Sequence, residues 1–181
     1  EPVHQFSPRV GVAYPITDKG IIHFSYVHFF QIPTFSYLYA NPEMEISTAS
    51  YESILGNANL KPQKTVTYEI GLQQELTSDL GIEIIAFYKD FSGLLSSDQY
   101  EKYNTVNYIV YSNRDYGDSR GITFSLNKRR TGLLSASADY TYLVAQGNAS
   151  NPLSLFYANQ SDPPAEVVKQ VLPLDWDQRH T

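Results

Sequence analysis

Cysteine is absent from this chain of 181 residues, and methionine and tryptophan occur once each. Without cysteine, disulfide frameworks, thiol catalysis and cysteine-based zinc sites are excluded. Basic residues are also scarce: 13 lysines and arginines against 19 aspartates and glutamates leave a net charge of −6. That balance argues against nucleic acid as a partner, which would call for basic patches. No run of 18 apolar residues occurs, so a transmembrane helix is excluded. Glu1-Pro2-Val3-His4-Gln5 has neither the basic nor the apolar region of a secretion signal. The reading is therefore of a mature chain or an internal piece, with both ends cut within a larger protein.

Motifs of catalysis and metal binding are missing as well. The histidines are His4, His23, His28 and His180. His23 and His28 are five apart, so on a strand they face opposite sides and cannot chelate one metal together. There is no HExxH, no nucleophile elbow and no glycine-rich phosphate loop. Gly117-Asp118-Ser119 lacks the surroundings of an elbow. The expectation is a non-enzyme, with no catalytic residues, no metal and no cofactor.

What the chain does have is alternation. Between 65 and 76, Val66, Tyr68, Ile70, Leu72, Gln74 and Leu76 fall on one side of an extended strand. Thr65, Thr67, Glu69, Gly71, Gln73 and Glu75 fall on the other. Side chains alternate across a strand, so this strand has one apolar and one polar face. Twelve residues exceed the roughly five or six of a common globular strand and meet the roughly nine to eleven needed to cross a bilayer. A mean hydropathy of −0.32 fits a spanning barrel, because only alternate residues meet lipid. The 15 tyrosines suit a membrane interface, though tyrosine also favours ordinary strands.

The same pattern recurs along the chain. Strands are expected over residues 6–14, 21–31, 65–76, 80–91, 106–128 and 133–145, with a seventh starting near Trp176. Tight turns lie at 17–20, 77–79 and 129–132 by residue type. Long loops are expected at 33–62, 92–105 and 146–174. Both faces of 21–31 are fairly apolar, which leaves its orientation open. Gly117 and Gly121 suggest a bulge in the fifth strand. All short turns thus fall at one end of the sheet and all long loops at the other, as in outer-membrane barrels. The fold class is all-β: an antiparallel meander of about six to seven long strands, a segment of a large transmembrane barrel.

Within this frame, Gly56-Asn57-Ala58-Asn59-Leu60-Lys61-Pro62-Gln63, running into Tyr68-Glu69-Ile70-Gly71, resembles the GNPxLKPE…YExG signature of TonB-dependent outer-membrane receptors. Ser7-Pro8-Arg9-Val10-Gly11, Ala86-Phe87-Tyr88-Lys89-Asp90 and Arg120-Gly121-Ile122-Thr123-Phe124 fit the same family in order. Ala58 stands where proline is usual, and Gln63 where glutamate is. Asp175-Trp176-Asp177-Gln178-Arg179-His180-Thr181 is similar to a later descending strand, especially in receptors with an N-terminal carboxypeptidase-regulatory-like domain. The resemblance implies a barrel of about 22 strands with a plugged lumen. Residues 1–181 would be a partial barrel domain, without plug, TonB box or closing strands. Open strand edges are not tolerated in lipid, so the piece needs the rest of its barrel.

The resemblance implies import of a nutrient across the bacterial outer membrane: a siderophore, cobalamin, carbohydrate or peptide-like ligand. The implied partners are outer-membrane lipid, the remaining barrel and plug, and the TonB complex. Ligand is expected on the loops, where Phe35, Tyr37, Tyr39, Tyr51, Tyr100 and Tyr103 supply aromatic surface for a sugar or an aromatic chelator. The same rings could pack loop against loop or anchor the outer interface. Arg9, Glu69, Glu75, Glu83, Lys89 and Asp139 are expected to face the lumen, as a solvated wall against water and plug or as part of a transport path. A passive porin or adhesin barrel and a soluble all-β binding module are the alternatives.

Overall fold

The computed structural model describes residues 5–46, 53–102, 106–149, 151–154, 156–157 and 170–181. Six long strands follow one another: β1 (Arg9–Thr17), β2 (Gly20–Gln31), β4 (Gln63–Thr77), β5 (Leu80–Lys102), β6 (Val106–Thr131) and β7 (Leu134–Gly147). Shorter pieces are a helical turn, α1 (Phe35–Leu38), and two strands, β3 (Ser53–Leu55) and β8 (Leu172–Pro173). The sheet runs β1-β2-β4-β5-β6-β7-β8, and β3 joins it by pairing parallel with β6. Every other pairing is antiparallel, so the long strands form a meander. No helix among the described residues is long and apolar enough to cross a membrane.

Register carries the alternation from strand to strand. Residues directly opposite one another share a face. One such row reads Val12, Phe24, Ile70, Ala86, Ile122 and Tyr142. The next, toward the short turns, reads Tyr14, Ile22, Leu72, Ile84, Phe124 and Tyr140. This settles the orientation of β2: Ile22, Phe24 and Tyr26 lie on the apolar face. That face is open, with Val12 60% and Ile70 50% exposed. A soluble monomer rarely leaves apolar patches beyond a few hundred Å² uncovered, whereas a barrel wall covers them with lipid.

The other face is polar but carries rings that cover glycines. His23 lies opposite Gly71, and a Cβ there would collide with the imidazole. Phe87 lies opposite Gly121, whose added Cβ would sit 2.9 Å from the phenyl tip and would collide with the Tyr142 carbonyl oxygen. Phe87, an apolar residue on the polar face, thus fills the space above a glycine.

Three expectations are corrected. Residues 92–105 are not a loop through most of their length: β5 runs on to Lys102 and stays paired with β6 to Val106. Beyond Ser92, its last partner on β4 being Lys64, the β5–β6 hairpin projects by about ten residues, roughly 33 Å of strand. The bulge near Gly117–Gly121 is absent, since register is continuous there on both sides. The irregularities lie between Phe91 and Ser96, around Gly93 at φ +64°, where β5 leaves β4. The last strand begins earlier than Trp176: Leu172 and Pro173 pair with Gly147 and Gln146. The segment then follows β7 to Thr181, which exchanges two backbone hydrogen bonds with Thr141.

Candidate functional site

Buried apolar residues gather at the long-loop end: Leu55, Leu95, Ile109 and Tyr111, with Ala145 and Leu174 nearby. The connection between β2 and β4 is drawn over to β6 there. β3 pairs with Tyr108, Ile109 and Val110. The Gly56 and Asn57 amides donate to the carbonyls of Ala40 and Tyr37, at 2.8 and 3.0 Å. The Asn57 Nδ2 donates to the Tyr111 carbonyl at 2.8 Å, and its Oδ1 accepts the Asn59 amide at 2.9 Å. Asn113 answers from β6: its Oδ1 accepts the Lys61 amide at 2.7 Å, and its Nδ2 donates to the carbonyls of Lys61 and Gly93. Gly56 is required, since a Cβ would collide with the Ala40 nitrogen and lie 2.7 Å from the Leu38 carbonyl oxygen.

The aromatic candidates separate by what they touch. Tyr37 in α1 sets its ring edge-on to Tyr111, centroids 5.0 Å apart. It packs the loop onto β6. Burial pushes the Tyr111 phenol above its ordinary pKa, in the part of β6 that projects past the wall. Phe35, which opens the helical turn, and Tyr39, which caps its C-terminal end, stack at 6.2 Å and stay 78% and 60% exposed. Tyr100 is a strand residue of the projecting hairpin, stacked on Tyr108 at 5.5 Å. Tyr51 and Tyr103 lie outside the described residues. Arg114 and Asp98 form an ion pair across the hairpin at 2.6 Å.

Arg9, Glu69, Glu75, Glu83, Lys89 and Asp139 all fall on the polar face by register. Arg9 lies over the Phe29 ring and Lys89 over Phe87. Glu69 accepts the Ser25 hydroxyl at 3.0 Å, and Glu83 the Gln73 amide at 2.6 Å. Glu75 and Asp139 are exposed. No group of three or more His, Asp or Glu among the described residues is placed to hold a metal ion.

The apolar face changes character toward the long loops. Tyr26, Tyr68 and Tyr88 stand opposite one another in a row, centroids 5.1 and 6.4 Å apart. One row further on come His28, Val66, Asp90, Asp118 and Gln146. Rings with polar tips followed at once by charge mark the rim of a lipid-facing band. Sequence reasoning missed Asn57, Asn113 and Tyr111. Only the first lies in a segment it had singled out.

Comparison with curated protein sequences gives no match. Among solved structures, the fold is similar to that of the outer membrane transporter YddB from Escherichia coli, with a TM-score of 0.67 and 16% identity over 82% of this chain and 21% of that one. It is similar to the ferric enterobactin receptor PfeA from Pseudomonas aeruginosa, at TM-score 0.61 and 15% identity over 78% and 25% of the two chains. The alcaligin outer membrane receptor FauA from Bordetella pertussis follows, at TM-score 0.54 and 20% identity over 82% and 23%. The chain thus spans between a fifth and a quarter of these proteins' lengths. The family model of the TonB dependent receptor-like β-barrel matches residues 2–176, and the chain belongs to that family of the bacterial outer membrane.

Proposed function

We propose that residues 1–181 are a section of barrel wall and outer loops, and that the complete receptor imports a nutrient across the outer membrane. One observation carries the reading: Phe35 and Tyr39 form an exposed stacked pair at the long-loop end, held on a loop that is itself tied to the sheet. Exposed rings cost apolar area in water, and a ligand with a flat apolar or π face would recover it. A sugar ring and an aromatic metal chelate both offer such a face, and PfeA and FauA are named as receptors for ferric enterobactin and alcaligin. In this reading Arg9, Glu69, Glu75, Glu83, Lys89 and Asp139 line the lumen, where a plug and water would meet them. Energised release would come from the plug and the TonB complex.

The test uses the full-length receptor in its own bacterium, with growth on a single limiting nutrient as the screen and uptake of the labelled nutrient as the readout. Phe35→Ala with Tyr39→Ala removes both rings. Each aromatic contact contributes about 0.5–1.5 kcal/mol, so ligand affinity should fall roughly two- to tenfold per ring. Glu69→Ala should lower uptake while leaving the folded barrel's heat-resistant gel mobility intact. Deletion of the gene without loss of growth on any nutrient tried, or a parent gene lacking a plug, would sink the import reading.

A further inference from the structure

We propose that Asn57 and Asn113 are positioning residues: together they clamp the aromatic pair Phe35–Tyr39 to the projecting β5–β6 hairpin, so that loop and hairpin present one surface to a ligand. The proposal rests on the reading of Phe35 and Tyr39 as ligand contacts.

The two asparagines do complementary work. The Asn57 amide holds the carbonyl of Tyr37, inside α1, while its Nδ2 holds the carbonyl of Tyr111 on β6. A single residue therefore links the helical turn bearing the rings to the hairpin. The Asn57 Oδ1 is occupied by the Asn59 amide, which fixes the side-chain rotation. Asn113 secures the other end of the same segment. Both its Nδ2 hydrogens are used, on Lys61 and Gly93, and its Oδ1 takes the Lys61 amide. Gly93 is where β5 shifts register and leaves β4, so Asn113 also pins the base of the projection. Asparagine alone supplies two donors and an acceptor on a side chain this short. Leucine or aspartate at either position fills the same space without the donors. Tyr37 against Tyr111 adds an apolar contact between the same two bodies.

A clamp made of directed donors makes an unusual demand: the isosteric aspartate should be worse than alanine. Asn113→Asp would turn a carboxylate oxygen toward the carbonyls of Lys61 and Gly93, replacing two attractions with repulsion. A role in packing alone would rank the variants the other way, with aspartate mild and alanine severe. The experiment places spin labels on cysteines introduced at Ser36 and at Tyr100 of the projecting hairpin in the full-length receptor, and reads the distance distribution in lipid vesicles without ligand. The unmodified clamp should give one narrow distance. Asn113→Asp and Asn57→Asp should lose it in favour of a broad spread, with Asn113→Ala intermediate, while heat-resistant gel mobility reports an intact barrel. A narrow distribution in both aspartate variants, or alanine more disruptive than aspartate, overturns the clamp. Because no ligand enters the measurement, the import reading can fail by the uptake test while the clamp stands, and the reverse.

Discussion

At the scale of single residues, glycines mark where backbones come close, and two asparagines mark where a loop meets the sheet. Gly121 sits where the β6 and β7 backbones come close, its missing Cβ directed at the Tyr142 carbonyl and lying under the tip of Phe87. A methyl group there meets backbone, which cannot swing aside. Gly121→Ala should therefore destabilise the assembled receptor by about 1–3 kcal/mol, as overpacking does. Gly11→Ala, with nothing within 4 Å of the added carbon, should leave stability unchanged. Denaturant midpoints of the two variants in one detergent check this, and equal midpoints would refute the close-approach account. None of it was legible in the sequence. Gly117 and Gly121 read as a bulge, because a glycine's neighbours across the sheet lie far off along the chain, Leu143 and Phe87 in the case of Gly121. Asn57 and Asn113 stayed silent for the same reason, their partners being 54 and 52 residues distant.

At the scale of elements, legibility follows the solvent. Where a strand separates lipid from a polar interior, its side chains must alternate, so β1, β4, β7 and the lower parts of β5 and β6 could be read directly. Past Ser92 the hairpin has left β4 and the charged rim behind, alternation is no longer demanded, and Ser96-Ser97-Asp98-Gln99 reads as loop although it is paired strand. Turns were plain because their residue types are local. What joins one turn to the next was not. The Asp79 carboxylate accepts the Thr77 and Thr131 hydroxyls at 2.7 and 2.8 Å and the Lys128 ammonium, and its carbonyl accepts the Arg129 amide at 2.7 Å. It bolts the β4–β5 turn to the end of β6. The Lys128 bond foremost, then the two hydroxyls, holds this carboxyl far below the ordinary carboxylate range. A depressed folded-state pKa stabilises the joint at any pH above the unfolded value of about 3.9 and is lost as pH falls below it toward the folded value. The hydrogen-exchange protection of the Arg129 amide should then be lower at pH 3 than at pH 5. In Asp79→Asn that difference should vanish; equal protection at both pH values in the native receptor would remove Asp79 as the bolt.

At the scale of the whole molecule, one sheet separates two media, and its orientation can be tested with a single added charge. Ile70 lies in the middle of the apolar rows, between Phe24 and Ala86, two rows from the polar margin at Val66 and Asp90. Gln73, three residues on along the same strand, lies on the opposite face beside Glu83. A lysine at a lipid-facing midplane position costs a barrel about 2–4 kcal/mol, while a lysine at Gln73 gains a carboxylate neighbour and keeps its water. Ile70→Lys should therefore lower the unfolding free energy of the full receptor, measured by urea titration in lipid vesicles, by that amount, and Gln73→Lys should leave it unchanged or raise it slightly. In detergent, whose shell is thin and readily deformed, the penalty for Ile70→Lys should shrink, because the ammonium can reach water along its flexible stem. Both substitutions add one positive charge to the same strand, so net charge is matched and the facing medium is what differs. Equal shifts in vesicles would mean that the apolar rows do not meet lipid, and would overturn the orientation on which the loop end, the rim of tyrosines and the proposed ligand surface all depend.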